Sequence, residues 1–133
     1  GEEARSIVSG FSFDANILID HLNDRGFAEK EIQRAAQHPG GAWISRMVWI
    51  EVMSKRSPDL LRETEAYLTR FNMDEVTTDV AARAASLRRE RPKLRTPDAI
   101  ILATAFLRNR ILVTRNTRDF APGTPGVRIP YTF

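Results

Sequence analysis

SIVSGFSFDANILID, residues 6–20, joins two periodicities with one acid at the seam. Residues 6–14 are rich in β-branched and aromatic side chains, with Phe11 and Phe13 on one parity, which predicts a strand ending near Asp14. Ala15 to Leu22 then follows helical spacing. A carboxylate between strand and helix stands where an N-cap belongs, and capping alone would account for it. It also stands where ligands gather in a parallel sheet with helical crossovers, at the carboxyl end of a strand. The rest of the chain decides how much weight that second reading carries.

The alternation continues. Phe27 to Gln37 reads as a helix that stops at the breaker His38-Pro39-Gly40-Gly41, and AWIS (42–45) reads as a short strand running into a helix over about 46–55. An amphipathic stripe of Leu60, Leu61, Tyr67, Leu68 and Phe71 predicts a helix from Pro58 to Phe71. Met73 to Thr77 is a candidate short strand, and Thr78 or Asp79 would cap an alanine-rich helix through Glu90. Thr96-Pro97 opens a further helix to about Asn109, with Thr96 as cap and Pro97 at the first position. ILVT (111–114) is a compact buried-type strand, a Pro/Gly-rich loop follows, and VRIP (127–130) is a candidate edge strand. Strands alternating with helices predict an α/β domain with a largely parallel central sheet of four to five short strands, flanked by helices on both faces.

The chain of 133 residues is most simply one domain spanning 1–133, large enough for a hydrophobic core. Its 42% hydrophobic and 28% charged residues fit a globular protein. The longest apolar run, Ala99 to Phe106, falls well short of the roughly 20 residues of a membrane helix. No signal-like apolar segment opens the sequence, and Gly1 in place of Met is expected to be the remnant of a processed tag. The lack of cysteine excludes disulfides and thiolate metal sites and is compatible with the cytoplasm. Seventeen arginines against three lysines lean toward phosphate recognition, although arginine-favouring codon usage gives the same bias. Arg83, Arg88, Arg89, Arg91, Lys93 and Arg95 cluster around one acid, Glu90. Such a run is either a solvated helix face or a nucleic-acid contact.

Four acids fall at positions that this architecture brings together. Asp14 follows the first strand, Asp98 lies in the first turn of the Thr96-Pro97 helix, Asp119 follows ILVT, and Glu51 interrupts the apolar run MVWIEVM (47–53). Each has an ordinary explanation: a cap, the helix macrodipole, an Asx-turn, and an i,i+4 pair with Lys55. Together they imply more. Two carboxylates about 4 Å apart repel by about 4 kcal/mol at an effective dielectric of 20, so a cluster needs protons or a cation. An all-oxygen set suits Mg²⁺ or Mn²⁺ rather than zinc, and such ions serve phosphoryl chemistry. His21 and His38 lie near a helix end and in a breaker, and the sequence holds neither a P-loop nor a nucleophile elbow.

These segments resemble the PIN-domain ribonucleases, specifically the VapC-type toxins of toxin–antitoxin pairs. FDANILID resembles the family's opening strand and acid, with Asp14 and Asn16 matching. ISRMVWIEV matches the segment in which a serine, Ser45, precedes the acid Glu51 by six residues. TPDAIILATA carries the third acid, Asp98, and LVTRNTRDF supplies Thr114, Asn116 and Asp119. The match runs in order from about Phe11 to Phe120. Ala15 departs from the hydroxyl residue common in the family, and Asn116 stands where some members carry the fourth acid.

The resemblance implies a Mg²⁺- or Mn²⁺-dependent endoribonuclease. Asp14, Glu51, Asp98 and Asp119 would hold the metal, with Asn116 as an alternative fourth ligand and Asn16, Ser45, Thr114 and Asn116 in support. Arg115, Arg118, Arg88, Arg89, Arg91, Lys93 and Arg95 would hold RNA. It implies also a homodimer, a cognate antitoxin and a cytoplasmic location. Two other readings compete: a degenerate PIN-like module that binds RNA or protein without cleaving, and a phosphoacceptor receiver domain. The receiver would want paired acids after the first strand and a lysine after a late one, where this chain has a single Asp14 and Arg115.

Overall fold

A computed structural model describes residues 8–133, so Ser6 and Ile7, the start of the first expected strand, lie outside the described residues. Five strands, β1 (Phe11–Phe13), β2 (Ala42–Ser45), β3 (Asn72–Asp74), β4 (Ile111–Val113) and β5 (Val127–Arg128), form one sheet in the order β3-β2-β1-β4-β5. Every pairing is parallel. Between them run α1 (Ala15–Leu22), α2 (Gly26–Gln37), α3 (Arg46–Ser54), α4 (Leu61–Leu68), α5 (Thr78–Glu90) and α6 (Thr96–Leu107). The expected α/β class and parallel sheet are therefore found, and the last strand is an edge strand.

Element boundaries differ from the sequence reading in physically simple ways. The expected 58–71 helix is a 3₁₀ turn at Pro58–Leu60 followed by α4, broken where Leu60 leaves helical geometry at ψ 0°. The strand expected at 73–77 is Asn72–Asp74, paired with β2 as far as Ser45–Asp74. Thr77, not Thr78 or Asp79, precedes α5, and its hydroxyl meets the Asp79 carboxylate instead of capping a backbone amide. Thr96 is the first residue of α6 rather than its cap, because the extended residue before the helix is Arg95.

β1 lies at the centre and is covered on both faces: Ser12 and Phe13, on opposite sides of the sheet, are both fully buried. Phe13, Ile17, Leu18, Ile44, Val48, Ile101 and Leu112 form the heart of the core. The connections after β1 and β2 step one way across the sheet, and the connection after β3 steps back past β1 to β4. The neighbouring strands β1 and β4 thus mark the switch point of the sheet, where a crevice opens beyond the carboxyl ends. At the opposite end, Gly10 (φ +112°) passes so close to Gly40 and Gly41 that a Cβ there would sit 2.6 Å from both carbonyl oxygens. Only glycine lets β1 and β2 start this near each other. Among the described residues, no helix is long and apolar enough to cross a membrane.

Candidate active site

The crevice at the switch point encloses about 610 Å³ and is lined by Asp14, Glu51 and Asp98 together with Asn16, Asn116 and four cations, Lys55, Arg95, Arg115 and Arg118. A more apolar groove of similar volume, about 640 Å³, lies elsewhere, between α5 and α6. The acids mark the crevice as the place for chemistry.

Asp14 is delivered by β1 and caps α1, accepting from the Ala15 amide at 2.8 Å. The cap reading is therefore correct but incomplete. The second carboxylate oxygen accepts from the Thr114 hydroxyl at 2.8 Å and from Asn16 Nδ2 at 3.3 Å. Asn16 Nδ2 also reaches Thr114 Oγ1 at 3.2 Å, so the ends of β1 and β4 are tied by one small network around this carboxylate. Burial raises the Asp14 pKa, the hydrogen bonds from Thr114 and Ala15 oppose that, and the Asp98 charge adds to it.

Glu51 enters from α3, which starts directly at β2 with Ser45 as cap, its hydroxyl accepting from the Met47 amide at 3.1 Å. Ser45 is fully buried and serves this helix start. Val48 and Val52 pack inward while Glu51 faces the crevice, where Oε1 is buried without a hydrogen-bond partner. Burial raises its pKa, and Asp14 and Asp98 raise it further, while Lys55 and Arg95 oppose them. Lys55 thus acts as a cation of the same crevice, and its i,i+4 position does not supply the missing bond to Oε1.

Asp98 sits in the first turn of α6 and receives Arg95 Nε at 3.3 Å. Burial raises its pKa, Arg95 lowers it, and the nearby Asp119 carboxylate raises it. Asp119 is itself held by Asn116: Nδ2 donates to its carboxylate at 2.9 Å and Asn116 Oδ1 accepts from its amide at 3.2 Å. Both ends of the Asn116 amide are thereby engaged with Asp119. Asn116 itself lines the crevice, while Asp119 lines a neighbouring depression.

Among the described residues, no three of the His, Asp and Glu side chains close into a group that holds a metal. Arg95, with a side chain 66% exposed, covers part of the charge on Asp98 instead. The donor set nevertheless suits a hard divalent cation: carboxylate oxygens only, mutual repulsion, and a buried Glu51 oxygen with no other partner.

The basic residues expected to bind RNA do not act as one patch. Arg95, Arg115 and Arg118 line the crevice. Arg91 and Lys93 line an adjoining depression shared with Arg118 and Asp119, and Arg91 also donates to the Asp119 carbonyl. Arg88 and Arg89 border the apolar groove between α5 and α6. Sequence reasoning missed the anchor of Arg115, which donates to Asp20 at 2.7 and 3.0 Å while Tyr131 OH donates to the same carboxylate at 2.8 Å. Asp20 lies six residues after Asp14 on α1, so only its acidic character within an apolar helix could have signalled it.

Fold and crevice define a parallel α/β domain with an acidic site at its topological switch point. The PIN domain family model matches residues 12–121, and the chain belongs to that family. It is 43% identical, with a TM-score of 0.82, to a chain of a toxin–antitoxin complex from Klebsiella pneumoniae, over 92% of this chain and 99% of that one. DNA-bound VapBC from Salmonella typhimurium shares the fold at 22% identity and TM-score 0.71, covering 90% and 96% of the respective chains. VapBC2 from Rickettsia felis, bound to a promoter DNA fragment, does so at 20% and 0.70, over 83% and 90%. Comparison with curated proteins gives no match. Membership of the PIN family removes the receiver-domain reading.

Proposed function

We propose that this protein is a VapC-type toxin, a divalent-cation-dependent endoribonuclease that hydrolyses RNA phosphodiesters. The observation that carries the reading is the convergence of Asp14, Glu51 and Asp98 on one switch-point crevice, with a buried Glu51 oxygen left unpartnered. The 43% identity to a chain of a toxin–antitoxin complex supports the toxin assignment and a cognate antitoxin as partner.

Asp14, Glu51 and Asp98 would hold Mg²⁺ or Mn²⁺, with Asp119 completing the set. Bound there, the cation supplies Lewis-acid polarisation of the phosphate and a lowered pKa for water. The chain's own residues do the positioning. Thr114 and Asn16 fix the Asp14 carboxylate against rotation, leaving its orientation set before substrate arrives. Asn116 orients Asp119. Arg95 neutralises Asp98 at rest and, being largely exposed, is free to turn to a phosphate when another cation takes its place. Arg115, Arg118 and Lys55 ring the same opening and offset the negative charge of an RNA backbone. A homodimer and a cytoplasmic location belong to the same reading.

The decisive assay is cleavage of total cellular RNA with cut sites mapped, with and without EDTA, for the wild type, Asp14→Ala and Asp98→Ala. Loss of cutting in both variants and in chelator is expected. Unchanged, chelator-resistant cleavage would overturn the mechanism. Co-purification of a small partner protein encoded beside this chain is expected for the toxin assignment.

A further inference from the structure

The carboxyl-terminal segment returns across α1 and α2 and builds a second feature beside the crevice. Arg128 clamps Glu31 of α2 through two hydrogen bonds of 2.7 and 3.0 Å, which fixes where the segment crosses. Beyond it, three rings follow one another: Phe27 to Tyr131 at 5.7 Å between centroids and 31° between planes, then Tyr131 to Phe133 at 5.4 Å and 44°. The two end rings are open to solvent, Phe27 at 60% and Phe133 at 66%, while Tyr131 is pinned between them by its bond to Asp20. Two guanidinium groups flank the last ring, Arg25 at 4.8 Å and Arg115 at 5.1 Å from its centroid.

Exposed rings of this kind invite an occupant, and two observations choose among occupants. Two guanidinium groups face the last ring; Arg115 is held by Asp20, whereas Arg25, which shares a depression with Asp24 and Glu29, has no ion pair among the described residues. The ladder is also continuous with the acidic crevice, because Arg115 lines the crevice and touches Phe133 as well. A single-stranded nucleic acid matches both features: bases have π-faces that stack on exposed aromatic rings, and each nucleotide carries a phosphate that arginine can hold. A duplex would keep its bases stacked inside itself.

We propose that Phe27, Tyr131 and Phe133 form a base-stacking platform for the unpaired nucleotides that flank the scissile phosphate, with Arg25 binding the adjoining backbone. The proposal rests on the ribonuclease reading and adds to it the residues that hold the bases, at the side of the crevice away from α5 and α6. Asp20 and Tyr131 are positioning residues, since they hold Arg115 and the middle ring in place.

The test separates the platform from the nuclease reading. Binding of short single-stranded RNA carrying 2-aminopurine is measured in EDTA, where nothing is cut, and cleavage is measured separately with Mn²⁺. Phe27→Leu and Phe133→Leu keep an apolar side chain but lose the π-face. Each is expected to bind roughly five- to hundredfold more weakly and to lose 2-aminopurine quenching. Phe133→Trp should retain both, and an abasic RNA of equal length should bind the wild type and the leucine variants alike. If the wild type binds and cuts while the leucine variants match it on the base-bearing RNA, the platform is wrong. If the wild type neither binds nor cuts single-stranded RNA, the nuclease reading itself fails.

Discussion

Replacing Glu51 by glutamine should stabilise the metal-free protein while destroying its response to metal. The Glu51 carboxylate is half-buried, Oε1 has no hydrogen-bond partner, and both Asp14 and Asp98 repel its charge. Leaving a buried polar atom unpaired costs about 1–3 kcal/mol, and more when it is charged. Glutamine keeps the shape and an unpaired oxygen but removes the charge, so only part of that penalty is recovered. Lys55 and Arg95 attract the carboxylate and reduce the gain further. A net increase of about 1 kcal/mol at neutral pH is expected in EDTA, or a rise in Tm of roughly 3–5 °C for a domain of this size. With Mn²⁺ the order should reverse. A cation at a hundred times its Kd adds about 2.7 kcal/mol to a protein that binds it only when folded, and the glutamine variant would lose most of that. Thermal denaturation of both proteins in EDTA and across a Mn²⁺ titration gives two curves that must cross. A variant less stable than wild type in EDTA, with cleavage intact, would show Glu51 to be an ordinary partner of Lys55.

Three further outcomes follow from particular contacts. Ser12 Oγ is also buried without a partner, so Ser12→Ala should leave stability unchanged or raise it by up to about 1 kcal/mol, read from denaturant midpoints. Gly10→Ala should cost more than about 1 kcal/mol, because a Cβ at φ +112° would lie 2.6 Å from two carbonyl oxygens; chemical denaturation measures the loss. For Asp20, burial alone would raise the pKa, yet the hydrogen bonds from Arg115 and Tyr131 bring it below the ordinary 3.8. A folded-state pKa below the unfolded one contributes stability that is full above pH 3.8 and is lost as pH falls through the folded value. The stability of Asp20→Asn should therefore fall less steeply than wild type in acid-titrated melts below about pH 4, and equal slopes would remove Asp20 from the acid transition.

The residues legible in the sequence share one property: their surroundings are local. Asp14 is announced by a strand on one side and a helix on the other, and Asp98 by the Thr96-Pro97 helix start. Glu51 is visible as a charge where the neighbouring positions are apolar. What could not be read spans distance. The carboxylate that anchors Arg115 is 95 residues away on α1, and the tyrosine sharing it is 111 residues from that carboxylate. Nothing in either neighbourhood marks them as partners. The basic run from Arg83 to Arg95 misled in the opposite sense. It is contiguous in sequence, but successive residues of a helix point about 100° apart, and the run leaves α5 before it ends. Its members therefore face an apolar groove, a neighbouring depression and the crevice in turn, and of them Arg95 lines the crevice itself. Asn116 shows the same limit at shorter range. Sequence alone left it competing with Asp119, whereas the loop folds so that the amide holds the acid through two hydrogen bonds. A site of repelling carboxylates requires such holders, because each acid left to itself would turn toward water.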